Sequence, residues 1–351
     1  MSVKKHPNTS RSASYIDKRQ KRKNTIILSI LIPIMIIILG AAIYAAKLYA
    51  TAQKTIDDSY HELDRSKEVV VDPIKETTSI LIMGIDDTEE RDLGSARTDS
   101  LIYLTIDPNN HEVNMVSIPR DTYTPIMYQG EYVREDKINA AYGKGEEQAT
   151  IETVEELLDV PIHYYVTFDF EAFLKIIDAL GGIEMDVPIA FSEQNSDGKM
   201  NQITLEEGYQ TLNGEEALAL ARTRKIDNDV MRGERQQLLI QAIVKKALRA
   251  GSISKYTDVI EAVGSNMRTD LTFNEMLGIA QTGLEGSYAF NSYTFEWTDF
   301  MLDGASMVEL YPDSVDFVSH RFRVALGLDS LDERDADDYE FETNGLTNYA
   351  Y

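Results

Sequence analysis

Three short apolar, β-branched runs follow one another between Ser79 and Asp121: Ser79–Asp87, Ala96–Asp107 and Val113–Asp121. Runs of this length and composition predict buried strands, because a strand covered on both faces needs apolar residues at every position. Each run also begins or ends in charge, so three strands deliver polar groups to one rim of a sheet. The groups are the carboxylates of Asp86, Asp87, Asp99 and Asp121 and the guanidiniums of Arg97 and Arg120. Together these supply hard oxygens for Mg²⁺ and planar forks for phosphoryl oxygens, which is what holding a metal-bound phosphate requires. On these residues alone a second reading stays open, in which Asp and Arg simply mark solvated strand ends.

Charge divides the chain before the first of these runs. Residues 1–24 hold eight Lys or Arg and a single acid, Asp17, in a protein whose net charge is -25. From Thr25 to Ala46 no charge occurs. At about 1.5 Å per residue such a run spans the ~30 Å of a bilayer's hydrocarbon, which predicts a transmembrane helix over 25–46. Pro33 and Gly40 are tolerated there, and the basic flank places the N-terminus in the cytoplasm and the rest of the chain outside. A cleaved signal ending near Ala50–Ala52 is the rival, but the run exceeds the ~7–15 apolar residues of a signal's central region. The acidic remainder argues against nucleic acid as a partner, and the absence of Cys excludes disulfides and thiolate metal sites.

Residues 47–76 read as a helical stalk and linker, 77–328 as the folded domain and 329–351 as an acidic, disordered tail. Within the domain, Glu146–Leu158 and Glu171–Leu180 read as helices, the second closed by Gly181 and Gly182, and Tyr164–Phe170 and Ile183–Val187 as strands. Such alternation predicts an α/β fold: a single layered α/β/α domain with a central mixed sheet flanked by helices. Lys137 and Asn139 either join the polar rim or mark a solvated helix start. Further on, Arg222, Arg224, Arg232 and Arg235 crowd fourteen residues of an acidic region, with Gln236 one helical turn after Arg232. Such a crowd needs an anion, either the protein's own carboxylates or a polyanionic ligand at a helix start. Asp227, Asn228 or Asp229 can cap that helix.

At these residues the chain resembles the LytR/CpsA/Psr family of membrane-anchored cell-envelope enzymes. The motifs that carry the resemblance occur in order: Met83–Asp86, Arg97–Ser100, Ser117–Asp121, Lys137–Tyr142, Asp178–Gly182, Ala221–Arg224 and Asp229 through Arg232 to Gln237. The resemblance implies a Gram-positive envelope and transfer of a glycopolymer, such as teichoic acid or capsular polysaccharide, from polyprenyl diphosphate to peptidoglycan. It implies Mg²⁺ (or Mn²⁺) held by Asp99 and by Asp86 or Asp87, with Arg97, Arg120, Arg222, Arg224, Arg232 and Gln236 on the diphosphate. Asp121 and Asp229 are the candidate general bases, and Lys137, Asn139 and Arg235 accessory residues. A diphosphate hydrolase or a non-catalytic envelope regulator would use the same residues differently; the first is distinguished by its product, the second by surviving loss of the carboxylates.

Overall fold

The apolar run after Thr77 becomes the centre of a six-stranded sheet. The computed structural model describes residues 39, 42–63, 71–85, 97–223, 229–249, 259 and 266–330. The chain divides into two units, Met1–Thr51 and Ala52–Tyr351. In the first unit residues 42–51 are helical and mostly exposed. No helix of the described residues is long and apolar enough to cross a membrane; most of the span expected over 25–46 lies outside them.

The second unit opens with α1 (52–59). Its sheet comprises β1 (Thr78–Ile85), β2 (Thr98–Asp107), β3 (Glu112–Ser117), β6 (Tyr164–Asp169), β11 (Met267–Thr269) and β12 (Ala289–Tyr293), in the order β11-β6-β1-β2-β3-β12. β1 pairs parallel with β6 and antiparallel with β2, and β3 pairs antiparallel with β2 and parallel with β12, so the sheet is mixed. Alternation along β1 sends Leu81 and Met83 to one face and Ile80 and Ile82 to the other. The first face, with Tyr103 and Tyr165, packs on α2 (Ala140–Leu158) and α7 (Pro312–Ala325), where the Tyr103 ring meets Phe322 edge-on at 4.8 Å. The second face packs on Ile240 of α5 (Asp229–Arg249) and Met276 and Ile279 of α6 (Phe273–Glu285). Both faces are therefore covered, as the apolar runs require, and the fold is a layered α/β/α domain.

Smaller hairpins surround this core: β4 (Tyr123–Tyr128) with β5 (Glu131–Lys137), β8 (Phe191–Glu193) with β9 (Ile203–Leu205), and β13 (Trp297–Leu302) with β14 (Ala305–Leu310). The expected strand at Ile183–Val187 forms as β7, but among the described residues it pairs only with β10 (Gly208–Leu212) and stands outside the main sheet. Its inward residues Ile183, Met185 and Val187 lie instead under α3 (Phe170–Ala179) and α4 (Gly214–Arg222). Gly181 and Gly182 end α3 with φ of +79° and +86°, the left-handed conformation expected of a helix stop.

Three boundaries differ from the sequence reading. α2 begins at Ala140 and is broken at Gly145 (φ -161°, ψ 32°) and Glu146 (φ 50°, ψ -134°); a Cβ on Gly145 would fall 2.4 Å from the Tyr128 ring, so only glycine allows that approach. β6 stops at Asp169 because its carboxylate accepts from the Ala172 backbone N–H at 2.8 Å and caps α3. Ala52 and Ile56 are buried against Phe273, which takes part of the expected 47–76 stalk into the second unit. At the other end Asp329 is held by Arg323 Nε and His320 Nδ1, both at 3.1 Å, and 331–351 lie outside the described residues.

Candidate active site

β1, β3 and β6 all point the same way, so their carboxyl ends and the start of the antiparallel β2 share one edge of the sheet. Ligands of α/β sheets bind at this kind of edge. Asp99 owes its aim to a bulge there: Gly84 pairs with Ser100 and Ile85 with Thr98, which leaves Asp99 as the extra residue. A bulge turns such a side chain out of the ladder. Arg120, in the turn after β3, donates from Nη1 to Asp99 Oδ1 at 2.6 Å, and its Nε lies 3.5 Å from Asp121 Oδ2. Lys137, the last residue of β5, donates to Asp121 Oδ1 at 2.7 Å. Burial pulls the Asp121 carboxyl upward, but Lys137 and Arg120 more than reverse this and hold its pKa below the usual value. Asp121 thus anchors two cations at the rim. Asn139 is buried beside it, its backbone N–H on the Arg120 carbonyl at 3.2 Å and its side-chain oxygen without a partner among the described residues.

α4 and α5 approach the same edge from the other side. Asn213 and Glu216 form a reciprocal cap that starts α4, which ends at Arg222 as Thr223 turns extended. The Arg222 guanidinium stacks 3.7 Å over the Phe170 ring, immediately beyond the end of β6. On α5, Gln236 accepts from Ser100 Oγ at 3.1 Å, next to Asp99, and the buried Arg232 lies one turn earlier on that face. Arg235 does not join them. It is buried and donates to the carbonyls of Leu220 (3.2 Å) and Thr223 (2.7 Å), closing the end of α4 as basic side chains do at helix C-termini. Arg97 precedes β2 and is exposed. Asp86, Asp87, Arg224 and the Asp229 side chain lie outside the described residues.

The edge therefore gathers Asp99, Arg120, Asp121, Lys137, Asn139, Arg222 and Gln236. Phe170 and Ser100 complete it and were not singled out as site residues, since an aromatic after a strand reads as core and a serine carries no charge. Among the described residues no three His, Asp or Glu stand together as a metal group. Mg²⁺ nevertheless needs only one or two carboxylates when phosphates supply the rest. Asp99 Oδ2 has no partner among the described residues, and Asp86 and Asp87 follow Ile85, which pairs with the neighbour of Asp99. Among the described residues Asp99 is the carboxylate that fits such an ion.

The LytR_cpsA_psr family matches residues 43–323. The polyisoprenyl-teichoic acid–peptidoglycan teichoic acid transferase TagU of Bacillus subtilis is 42% identical over 270 residues, 75% of this chain and 83% of that protein. Among solved structures, B. subtilis TagV superposes with a TM-score of 0.63 at 34% identity, over 73% of this chain and 99% of that one. TagT bound to LIIa-WTA does so with a TM-score of 0.64 at 29% identity, over 76% and 99%. The match spans most of the chain, and described residues from several of its motifs stand at one edge of the sheet: this protein belongs to the LytR_cpsA_psr family.

Proposed function

We propose that this chain transfers a wall teichoic acid, or a related secondary wall glycopolymer, from its polyprenyl diphosphate carrier to peptidoglycan through a phosphodiester bond. The observation that carries the reading is the convergence of Asp99 and Arg120, 2.6 Å apart, with Arg222 and Gln236 from separate helices at the carboxyl edge of β1, β3 and β6. Charges from distant parts of an acidic chain meet there, and a relative 42% identical is named as such a transferase. The Asp99–Arg120 pair is reachable by solvent, so a phosphoryl oxygen can take the place of the carboxylate on the guanidinium fork.

In this reading a primary hydroxyl of a muramic acid residue attacks the sugar-side phosphorus. The bond from that phosphorus to the bridging oxygen breaks, polyprenyl phosphate leaves, and the hydroxyl proton passes to a base or to water. Arg97, Arg120, Arg222, Arg224 and Arg232 neutralise the diphosphate and the charge that develops on the leaving phosphate, while Gln236 orients it. We assign Mg²⁺, or Mn²⁺, to Asp99 and to Asp86 or Asp87, where it would supply electrostatic stabilisation of the phosphoryl oxygens. Asp121 and Asp229 are the candidate bases. A span over 25–46 with a cytoplasmic N-terminus sets the domain beside both substrates.

The test is incubation of the detergent-extracted protein with a polyprenyl-diphosphate-linked disaccharide, with and without peptidoglycan. The expected products are polyprenyl phosphate and sugar phosphate joined to the glycan. Sugar phosphate released free, in equal amount whether or not acceptor is present, would make the chain a hydrolase instead.

A further inference from the structure

Beside the rim, a cleft of about 280 Å³ lies between the β4–β5 hairpin and the start of α2. Arg97, Arg134 and Lys144 line it together with Ile126, Val133 and Ala140. Three cations around one small cavity stand out in a chain of net charge -25. Arg134 is drawn to Asp136 at 2.6 Å and Lys144 lies 5.7 Å over the Tyr128 ring; Arg97 is exposed, with no ion-pair partner among the described residues. Both sides of the cleft start at the rim itself, since β5 ends in Lys137 and α2 begins after Asn139. The lining asks for a ligand that is anionic and apolar at once, because aliphatic side chains line the cleft together with the cations.

We propose that this cleft is the acceptor subsite, seating the stem peptide of a muramic acid residue with its carboxylates on Arg134 and Lys144 and its alanine methyls on Ile126, Val133 and Ala140. The inference rests on the transferase reading, in which Arg97 touches the diphosphate, so that whatever fills the cleft lies against the phosphorus under attack. The donor's polyol phosphate chain is anionic too, but it has no apolar groups to cover the aliphatic wall. A stem peptide has both.

The experiment uses the full chain in detergent and the double variant Arg134→Ala/Lys144→Ala, whose two side chains lie outside the proposed catalytic machinery. Calorimetry measures binding of a soluble disaccharide pentapeptide. Kinetics compares a glycan acceptor carrying stem peptides with the same glycan after amidase has removed them. The variant is expected to bind the muropeptide about tenfold more weakly and to show a KM about tenfold higher for the peptide-bearing acceptor, with kcat and donor KM unchanged. The parent should show the same rise in KM on the peptide-free glycan, and the variant should make no further difference there. Unchanged muropeptide binding in a variant with the parent's melting temperature overturns the proposal, as does a shift in donor KM, which would give the cleft to the polyol phosphate chain. Muropeptide binding that depends on Arg134 and Lys144 in a protein that transfers nothing would instead sink the transferase reading and leave the cleft's ligand standing.

Discussion

Two clusters of carboxylate and guanidinium lie in the same domain and differ in how they are tied. At the rim Arg120 and Asp99 meet at 2.6 Å with 26% and 33% of their side chains exposed. In the broken part of α2, Glu147 is fully buried; Tyr142 donates to its Oε1 at 3.2 Å, Arg268 reaches that oxygen at 3.5 Å and Glu146 Oε2 at 3.1 Å. Burial and then the charge of Glu147 push the Tyr142 hydroxyl well above its usual pKa, so it remains a donor. A solvent-reachable ion pair contributes roughly 0–1 kcal/mol, so a ligand can part the rim pair at little cost to the fold. A buried carboxylate has no water to turn to, and losing its partner leaves a charge uncompensated. The rim pair is thus available for chemistry, while the half-exposed Arg268 ties the buried Glu147 of α2 to β11.

That contrast can be broken in several places. Asp99→Ala should lower transfer by about 10²–10³-fold, the scale of losing one electrostatic stabiliser at a reacting group, with the melting temperature unchanged. Full activity in this variant would remove the rim from the reaction. Arg120→Lys replaces a two-pronged contact by a point charge, so affinity for inorganic diphosphate, read by calorimetry, should fall about 10-fold or more. Arg268→Met should do the opposite of these: urea unfolding should show a loss of ~1–3 kcal/mol, the cost of a buried acceptor deprived of its partner, while turnover per folded molecule stays at the parent's value. Stability equal to the parent's would dissolve the difference between the clusters. The smallest effect concerns pH. Because the native pKa of Asp121 is lowered, its contribution to stability is complete above the ordinary aspartate value of about 3.9 and disappears as pH falls through the lower native value. The stability difference between parent and Lys137→Met should therefore be constant above about pH 5 and shrink below about pH 4 in acid titrations followed by circular dichroism.

Much of the domain was legible because its signals are local. β1, β2 and β3 are covered on both faces, so their apolar runs could be read directly; the glycine stop after α3 follows from the left-handed backbone that it supplies. The motifs around Asp99, Arg120 and Arg222 named residues that do stand at one edge. Other features depend on a partner distant in sequence. The strand at Ile183–Val187 has the alternation of any half-covered strand, and nothing in it says that Leu212 and α4 rather than the main sheet will cover it.

Residue type and local pattern by themselves determined that this chain builds a covered sheet, that charge gathers at the ends of its strands, and which family it joins. Only the tertiary structure decided what each charge does. Arg232 and Arg235 look alike in sequence, yet Arg235 is committed to the carbonyls that end α4. Asp99 and Asp121 both follow an arginine within two residues, yet a bulge turns one outward with one oxygen unpartnered among the described residues, while two cations hold the other. Gly145 lets the broken start of α2 approach the Tyr128 ring, a contact set by a residue of the β4–β5 hairpin. A side chain's charge is a property of the residue, but its availability depends on which groups the fold brings within hydrogen-bonding distance, and those lie tens to hundreds of residues away.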